Sequence, residues 1–237
     1  MILRSFRFGE ADRVLHVYTA DRGRVGAVAK GVRRTKSRFG ARLEPLSHVE
    51  LMLHQGSGEL CTVTGVSLIG SHHETREEPY RLRIGLIGAE AMLRLFTEQE
   101  ASERAFTALT RFLDALDVLP SGAPAAPRLD ALVLSFQLKL LWLSGYMPHL
   151  DSCVECGVVE ELVGYLPAAG GAVCRSCGPG TVALSPEGLR GIRLLLTSPL
   201  ADAQGAGLTD RAARETLAVV TASYEHSGGF RLRTLSA

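Results

Sequence analysis

The 237-residue chain lacks the marks of several protein classes. Five cysteines are too few for a disulfide scaffold, and a hydrophobic share of 46% is too high for a disordered chain. No apolar run reaches the roughly 18 residues that cross a bilayer. The strongest, from Ala131 to Met147, is broken by Gln137 and Lys139. The start, Met1 to Glu10, meets charge too early and has no hydrophobic stretch of the signal-peptide kind, so a cytoplasmic protein is expected. Also missing are a Walker phosphate loop, a Gly-x-Ser-x-Gly elbow, a His-Glu-x-x-His helix and the His-x-Glu plus Pro-Cys-x-x-Cys pattern of zinc deaminases. These absences leave no recognisable catalytic constellation. Aromatic residues are scarce: Phe6, Phe8, Tyr18, Phe39 and Tyr80 are all that residues 1–80 contain, and several are expected in a core. Stacking surfaces should therefore be few.

Acidic residues are missing from one stretch in particular. The formal charge of the whole chain is +1, yet residues 1–50 hold 11 basic against 5 acidic side chains, a balance of +6, and the remainder carries −5. Arg22, Arg24, Lys30, Arg33, Arg34, Lys36, Arg38 and Arg42 follow one another with no acid between them. Surfaces kept soluble by charge mix both signs, whereas an unmixed basic run attracts phosphates. A solvated loop is the plainer explanation, and polyanion binding is the better one here.

The first eighty residues read as strands. Segments near Leu3–Phe8, Val14–Thr19, Val25–Ala29, Val49–His54 and Leu60–Ile69 alternate or carry β-type residues. Asp21-Arg22-Gly23 and Gln55-Gly-Ser-Gly58 supply turn signals between them. Five short strands with one long basic loop, Gly31 to Glu44, fit a small closed barrel of the OB type, with an SH3-like barrel as the competing arrangement. From Pro79 the period becomes helical. Helices are expected from Pro79 to about Glu98, over Ser102–Leu116 and near Arg128–Ser144, the last apolar almost all round, Trp142 included, and so central. Two more follow Ser185-Pro186-Glu187 and Thr209-Asp210, which carry cap residues, and Gln204 to Gly207 reads as a loop between them. The expected domains are 1–78, the barrel, and 79–237, helical, with a metal-binding segment at 150–180. His72-His73-Glu74, at the junction, reads as a solvent-exposed turn.

Cys153-x-x-Cys156 and Cys174-x-x-Cys177 are the most specific signal, separated by seventeen residues that can form a hairpin through Gly164, Gly170 and Gly171. Two-residue spacing aims two thiolates at one ion, and two such knuckles complete a tetrahedron around Zn²⁺. Disulfides are disfavoured in a reducing compartment, and a redox Cys-x-x-Cys would need only one motif beside a βαβ unit. Four cysteines leave no position open for water or substrate, so the site is expected to be structural rather than catalytic. Four thiolates on a dication leave a local charge of about −2, for which Arg175 is a charge partner. Gly157 and Gly178 follow the knuckles, where backbone N–H groups can approach sulfur. Cys61, in a strand, reads as a small apolar filler.

Taken in order, Gly9-Glu-Ala-Asp-Arg-Val-Leu-His-Val-Tyr-Thr19, Ala29-Lys-Gly-Val-Arg-Arg34, Lys36-Ser-Arg38, Leu43-Glu-Pro45, Phe136-Gln-Leu-Lys-Leu-Leu141, Ser144-Gly-Tyr-Met-Pro148 and the two cysteine knuckles resemble the RecO family of bacterial DNA repair proteins. The likeness covers nearly the whole chain. It implies an α+β protein with an N-terminal OB-fold, a helical domain and a zinc-binding segment. It also implies a non-catalytic recombination mediator, nucleoid-associated in the cytoplasm, which binds single- and double-stranded DNA and anneals complementary strands. Such a protein acts with RecR to help load RecA at gaps coated by single-strand-binding protein. Arg190, Arg193, Arg231 and Arg233 are basic positions at which the acidic tail of that protein could dock. A zinc-dependent nucleic-acid-processing enzyme and a zinc-ribbon adaptor that binds only protein are the alternatives.

Overall fold

Alternating side chains over the first seventy residues fold as β1 (Ile2–Phe8), β2 (Asp12–Thr19), β3 (Gly23–Ala29), β4 (His48–His54) and β5 (Cys61–Gly70). The structure is a computed structural model that describes residues 1–34, 37, 39–96, 101–120 and 126–236. β1, β2 and β3 pair antiparallel, with Val14 opposite both Phe6 and Val28. β4 and β5 form a second antiparallel pair, and β3 runs parallel to β5 at Ala27–Cys61 and Val28–Thr62. The order is thus β1-β2-β3-β5-β4. The outer edges then meet: Ile2 N–H donates to the Ser47 carbonyl at 3.0 Å, and Leu46 N–H donates to the Ile2 carbonyl at 2.8 Å. Closure with a single parallel contact between third and fifth strands is the OB arrangement and separates it from the SH3-like one, which alternation alone leaves open.

Ile2, Leu15, Val17, Ala27, Ala29, Val49 and Val63 fill the barrel. Phe39 and Leu43, at the end of the basic segment around a 3-10 turn at Gly40–Leu43, are buried in the same core. That segment is therefore anchored at its far end by apolar burial. Cys61 is the expected core filler, and its thiol donates to Gln55 Oε1 at 2.9 Å.

Three helices complete the first compact unit, Met1–Leu119: α1 (His73–Glu77), α2 (Pro79–Leu95) and α3 (Glu103–Asp117). Glu78 caps α2 by accepting the Arg81 N–H, with Pro79 at the first helical position, and Ser102 caps α3 through the Ala105 N–H. β5 ends at Gly70 and α1 begins at His73, so the change from strand to helix comes before Pro79, where the helical period is expected to start, and these helices cluster with the barrel. His72 corrects the expectation of an exposed turn. It is 6% exposed, and its Nδ1 lies 2.8 Å from Asp117 Oδ2, while Asp117 Oδ1 accepts the Thr75 N–H and hydroxyl. Its neighbour His73 is exposed and lies 3.3 Å from Glu77.

The second unit, Pro120–Ala237, is built on α4 (Ala131–Leu143), α5 (Pro186–Thr197) and α6 (Asp210–Ser227), with a short α7 (Arg233–Ser236). α4 is central, with every residue from Leu132 to Leu138 buried. The polar residues that interrupt its apolar run tie it to its neighbours: Tyr224 on α6 donates to Gln137 Oε1 at 2.6 Å, and Lys139 Nζ donates to the Leu195 and Leu196 carbonyls of α5. Trp142, expected within the packing, is 52% exposed. Among the described residues no helix is long and apolar enough to cross a membrane.

Candidate metal centre and basic surface

The metal centre starts from a hairpin of the second unit, β6 (Leu162–Leu166) and β7 (Gly171–Cys174), with β8 (Val182–Ala183) on the far edge of β6. Cys174 ends β7, and the chain turns at once to Cys177. The first knuckle is stitched to the same strand. Ala172 N–H donates to the His149 carbonyl at 2.7 Å, and Val154 N–H donates to the Ala172 carbonyl at 2.9 Å. The approach is so close that a Cβ on Gly171 would lie 2.3 Å from Val154 Cγ1 and 2.7 Å from the His149 carbonyl oxygen. Gly157 and Gly178 have φ of +80° and +123°, which glycine adopts without steric cost. Their N–H groups donate to the carbonyls of Cys153 and Cys174, at 2.8 and 3.2 Å. The glycines thus close the turns, a different role from approaching sulfur.

All four Sγ atoms lie within 4.8 Å of one another. Cys156 and Cys174 are 3.7 Å apart at sulfur, close to the ~3.8 Å edge of a tetrahedron with metal–sulfur bonds of about 2.3 Å. Cys153 and Cys174 are buried, Cys156 and Cys177 exposed. The thiols divide in acidity. Burial opposes ionisation of Cys153, but the N–H groups around it, that of Cys174 first, outweigh burial and hold its pKa at about 6. Contact with the Cys156 sulfur, then with Cys174, pushes Cys177 up to about 12. Four sulfurs this close cannot all ionise without a cation among them, and the donor set fits one thiophilic ion. Arg175 pairs with Glu161, 3.9 Å away, at the outer edge of the knuckle.

The eight basic residues of the acid-free segment fall into three groups. Arg22, Lys30, Arg33 and Arg34 are exposed. Arg33 is oriented by its Nη1 donating to the Glu10 carbonyl at 2.9 Å, and the start of the segment is held by Gly31 N–H on Asp12 Oδ1 at 2.7 Å. Arg24 and Arg42 are partly buried and serve the fold. Arg24 donates to the Leu93 carbonyl near the C-terminus of α2, where the helix dipole favours a cation, and Arg42 donates to the Phe39 and Val66 carbonyls. Lys36 and Arg38 lie outside the described residues. In the second unit Arg193 bonds the Leu150 carbonyl and lies near Asp151, and Arg231 pairs with Glu225. Arg190 faces solvent. Sequence reasoning overlooked the outward aromatic side of β1, where Arg4, Phe6 and Phe8 alternate; that period of two was the available signal.

An OB barrel edged by an unmixed basic segment, followed by a helical unit with a tetracysteine knuckle, defines an OB-fold protein with a candidate four-cysteine metal centre. Comparison with known proteins places that class. The family model "Recombination protein O N terminal" matches residues 1–72, and "Recombination protein O C terminal" matches residues 76–236. Proteins named DNA repair protein RecO are similar to the chain throughout. That of Rubrobacter xylanophilus is 42% identical over 229 residues, covering 94% of this chain and 89% of its own. That of Anaeromyxobacter sp. strain K is 35% identical over 238 residues, 98% and 91%, and that of Frankia casuarinae is 37% identical over 226 residues, 94% and 89%. The chain belongs to the RecO family of DNA repair proteins.

Proposed function

We propose that this protein is a non-catalytic recombination mediator. It binds single- and double-stranded DNA, anneals complementary strands, and with RecR helps load RecA on gaps coated by single-strand-binding protein, in the cytoplasm at the nucleoid. The observation that carries the reading is the acid-free basic segment leaving an OB barrel whose closed core fixes both of its ends. Lys30, Arg33, Arg34, Lys36 and Arg38, supported by Arg22, contact phosphates, while Arg24 and Arg42 hold the barrel surface that presents them. Guanidinium groups on a loop read charge before base edges, so binding is largely indifferent to sequence. Complementary strands repel through their phosphates. A shared basic surface screens that repulsion and leaves the bases free to pair.

Cys153, Cys156, Cys174 and Cys177 hold one structural Zn²⁺, which when bound neutralises the thiolates and ties the two knuckles into one rigid unit. Four protein ligands complete its tetrahedron, which supports a role without turnover. The decisive assay is annealing of complementary oligonucleotides coated with single-strand-binding protein, because it requires DNA binding and partner recognition together. Replacing Arg34→Glu and Arg38→Glu together should reduce binding and annealing alike. Annealing that survives the double reversal at full rate would place the DNA contacts elsewhere.

A further inference from the structure

The outer face of β1 and β2 carries chemistry that phosphate contact leaves unused. A bulge between Ile2 and Arg4 shifts the strand so that Ser5 faces Leu15, a core residue, while Arg4 faces His16, Phe6 faces Val14 and Phe8 faces Asp12 on the opposite side. Arg4 stacks its guanidinium carbon 4.4 Å from the Phe6 ring centre. The His16 ring meets Phe6 edge-on, 5.4 Å between centres at 74°. Phe8 is 55% exposed. On β3 the residue opposite His16 is Gly26, and a Cβ there would lie 2.6 Å from Leu60 Cδ2. The apolar stripe therefore continues across three strands to a half-exposed leucine. Arg4 is exposed on this face of β1, and Asp12, opposite Phe8, accepts the Gly31 N–H at the start of the basic segment beside Lys30.

We propose that Arg4, Phe6, Phe8 and His16 form a base-stacking platform for single-stranded nucleic acid, continuous with the phosphate-binding segment; the proposal rests on the phosphate-binding reading above. Every nucleobase presents a π face, so stacked rings add affinity without sequence preference, and an arginine stacked on a ring extends the platform with charge. Arg4 stacked on the stripe and the basic segment that starts beside Phe8 favour a polyanion over a protein surface as its occupant.

The test compares a labelled oligothymidine with an abasic oligomer of the same length and charge, bound to the full chain. The chain should prefer the oligothymidine by about tenfold or more. Phe6→Ala with Phe8→Ala should abolish that preference while leaving abasic affinity and its salt dependence unchanged. In a Trp142→Phe background, Phe8→Trp should keep the preference, and its fluorescence should be quenched by the oligothymidine and not by the abasic oligomer. Equal affinity of the unaltered chain for the two oligomers, or a preference that survives the double substitution, overturns the platform and leaves phosphate binding intact. Failure to bind either oligomer contradicts the phosphate reading itself. Should the double variant lose affinity for both oligomers, Phe8→Ala alone, at an exposed position, decides: lost preference supports the platform and retained preference refutes it.

Discussion

The Glu215 carboxylate on α6 accepts the backbone N–H and the hydroxyl of Ser185 and the Arg211 Nε–H, each at 2.9 Å, and so fastens the start of α5 to α6. Burial pushes its pKa up, but the Ser185 N–H, the Arg211 guanidinium and the Ser185 hydroxyl outweigh it and hold the group below the ordinary glutamate value. A depressed carboxylate stabilises the fold above its unfolded pKa, about 4.3, and that stabilisation is lost as pH falls through the folded value. Glu215→Gln should cost about 2 kcal/mol at neutral pH, as for hydrogen bonds to a charged group. The gap between the two proteins in denaturant titrations should stay constant above about pH 5 and shrink below about pH 4. A pH-independent gap would mean that the ionised carboxylate is not the stabilising form. Among single residues, the four cysteines and the cap residues Ser185 and Thr209 were legible because local spacing sets their roles. His72 was not, because its burial depends on Asp117, 45 positions along the chain.

Strand and helix positions were mostly legible, since periods of 2 and 3.6 are local properties. What joins elements was less so. Alternation does not reveal the parallel contact of β3 with β5 or the Ile2–Ser47 closure, which together separate an OB barrel from its competitor. α4 starts at Ala131 rather than Arg128 because Pro127–Leu129 forms a 3-10 turn and Asp130 caps the helix through the Leu132 N–H. The loop read at Gln204–Gly207 lies largely within a 3-10 helix, Leu200–Ala206, which Leu200 and Ala203 bury and Gln204 ties to Asp130 at 2.6 Å. The hairpin under the knuckles was foreseen from its glycines, although the stitching of His149 and Val154 to β7 was not. An ion held by all four sulfurs would be a second staple, beside those hydrogen bonds, between two separated chain segments. Removing it with a strong chelator should release one ion per chain and lower the melting midpoint reported by Trp142 fluorescence by about 10 °C or more. Complete metal release with an unchanged midpoint would show that hydrogen bonds alone hold the knuckles.

At the scale of the whole molecule, the +1 charge is a sum over unlike parts: +6 over the first fifty residues, on and beside the barrel, and −5 over the rest. The sequence showed this imbalance plainly but not its division of labour. Only the structure assigns Arg24 and Arg42 to carbonyl partners and leaves Arg22, Lys30, Arg33 and Arg34 facing solvent. The compact units, Met1–Leu119 and Pro120–Ala237, also part later than the change from strand to helix, because α2 and α3 pack with the barrel. The central claim is that the acid-free segment neutralises phosphates, and the salt dependence of single-stranded DNA binding tests it most directly. With about five phosphates neutralised, the logarithm of the association constant should fall against the logarithm of salt concentration with a slope near −3.5. A flat response would contradict it.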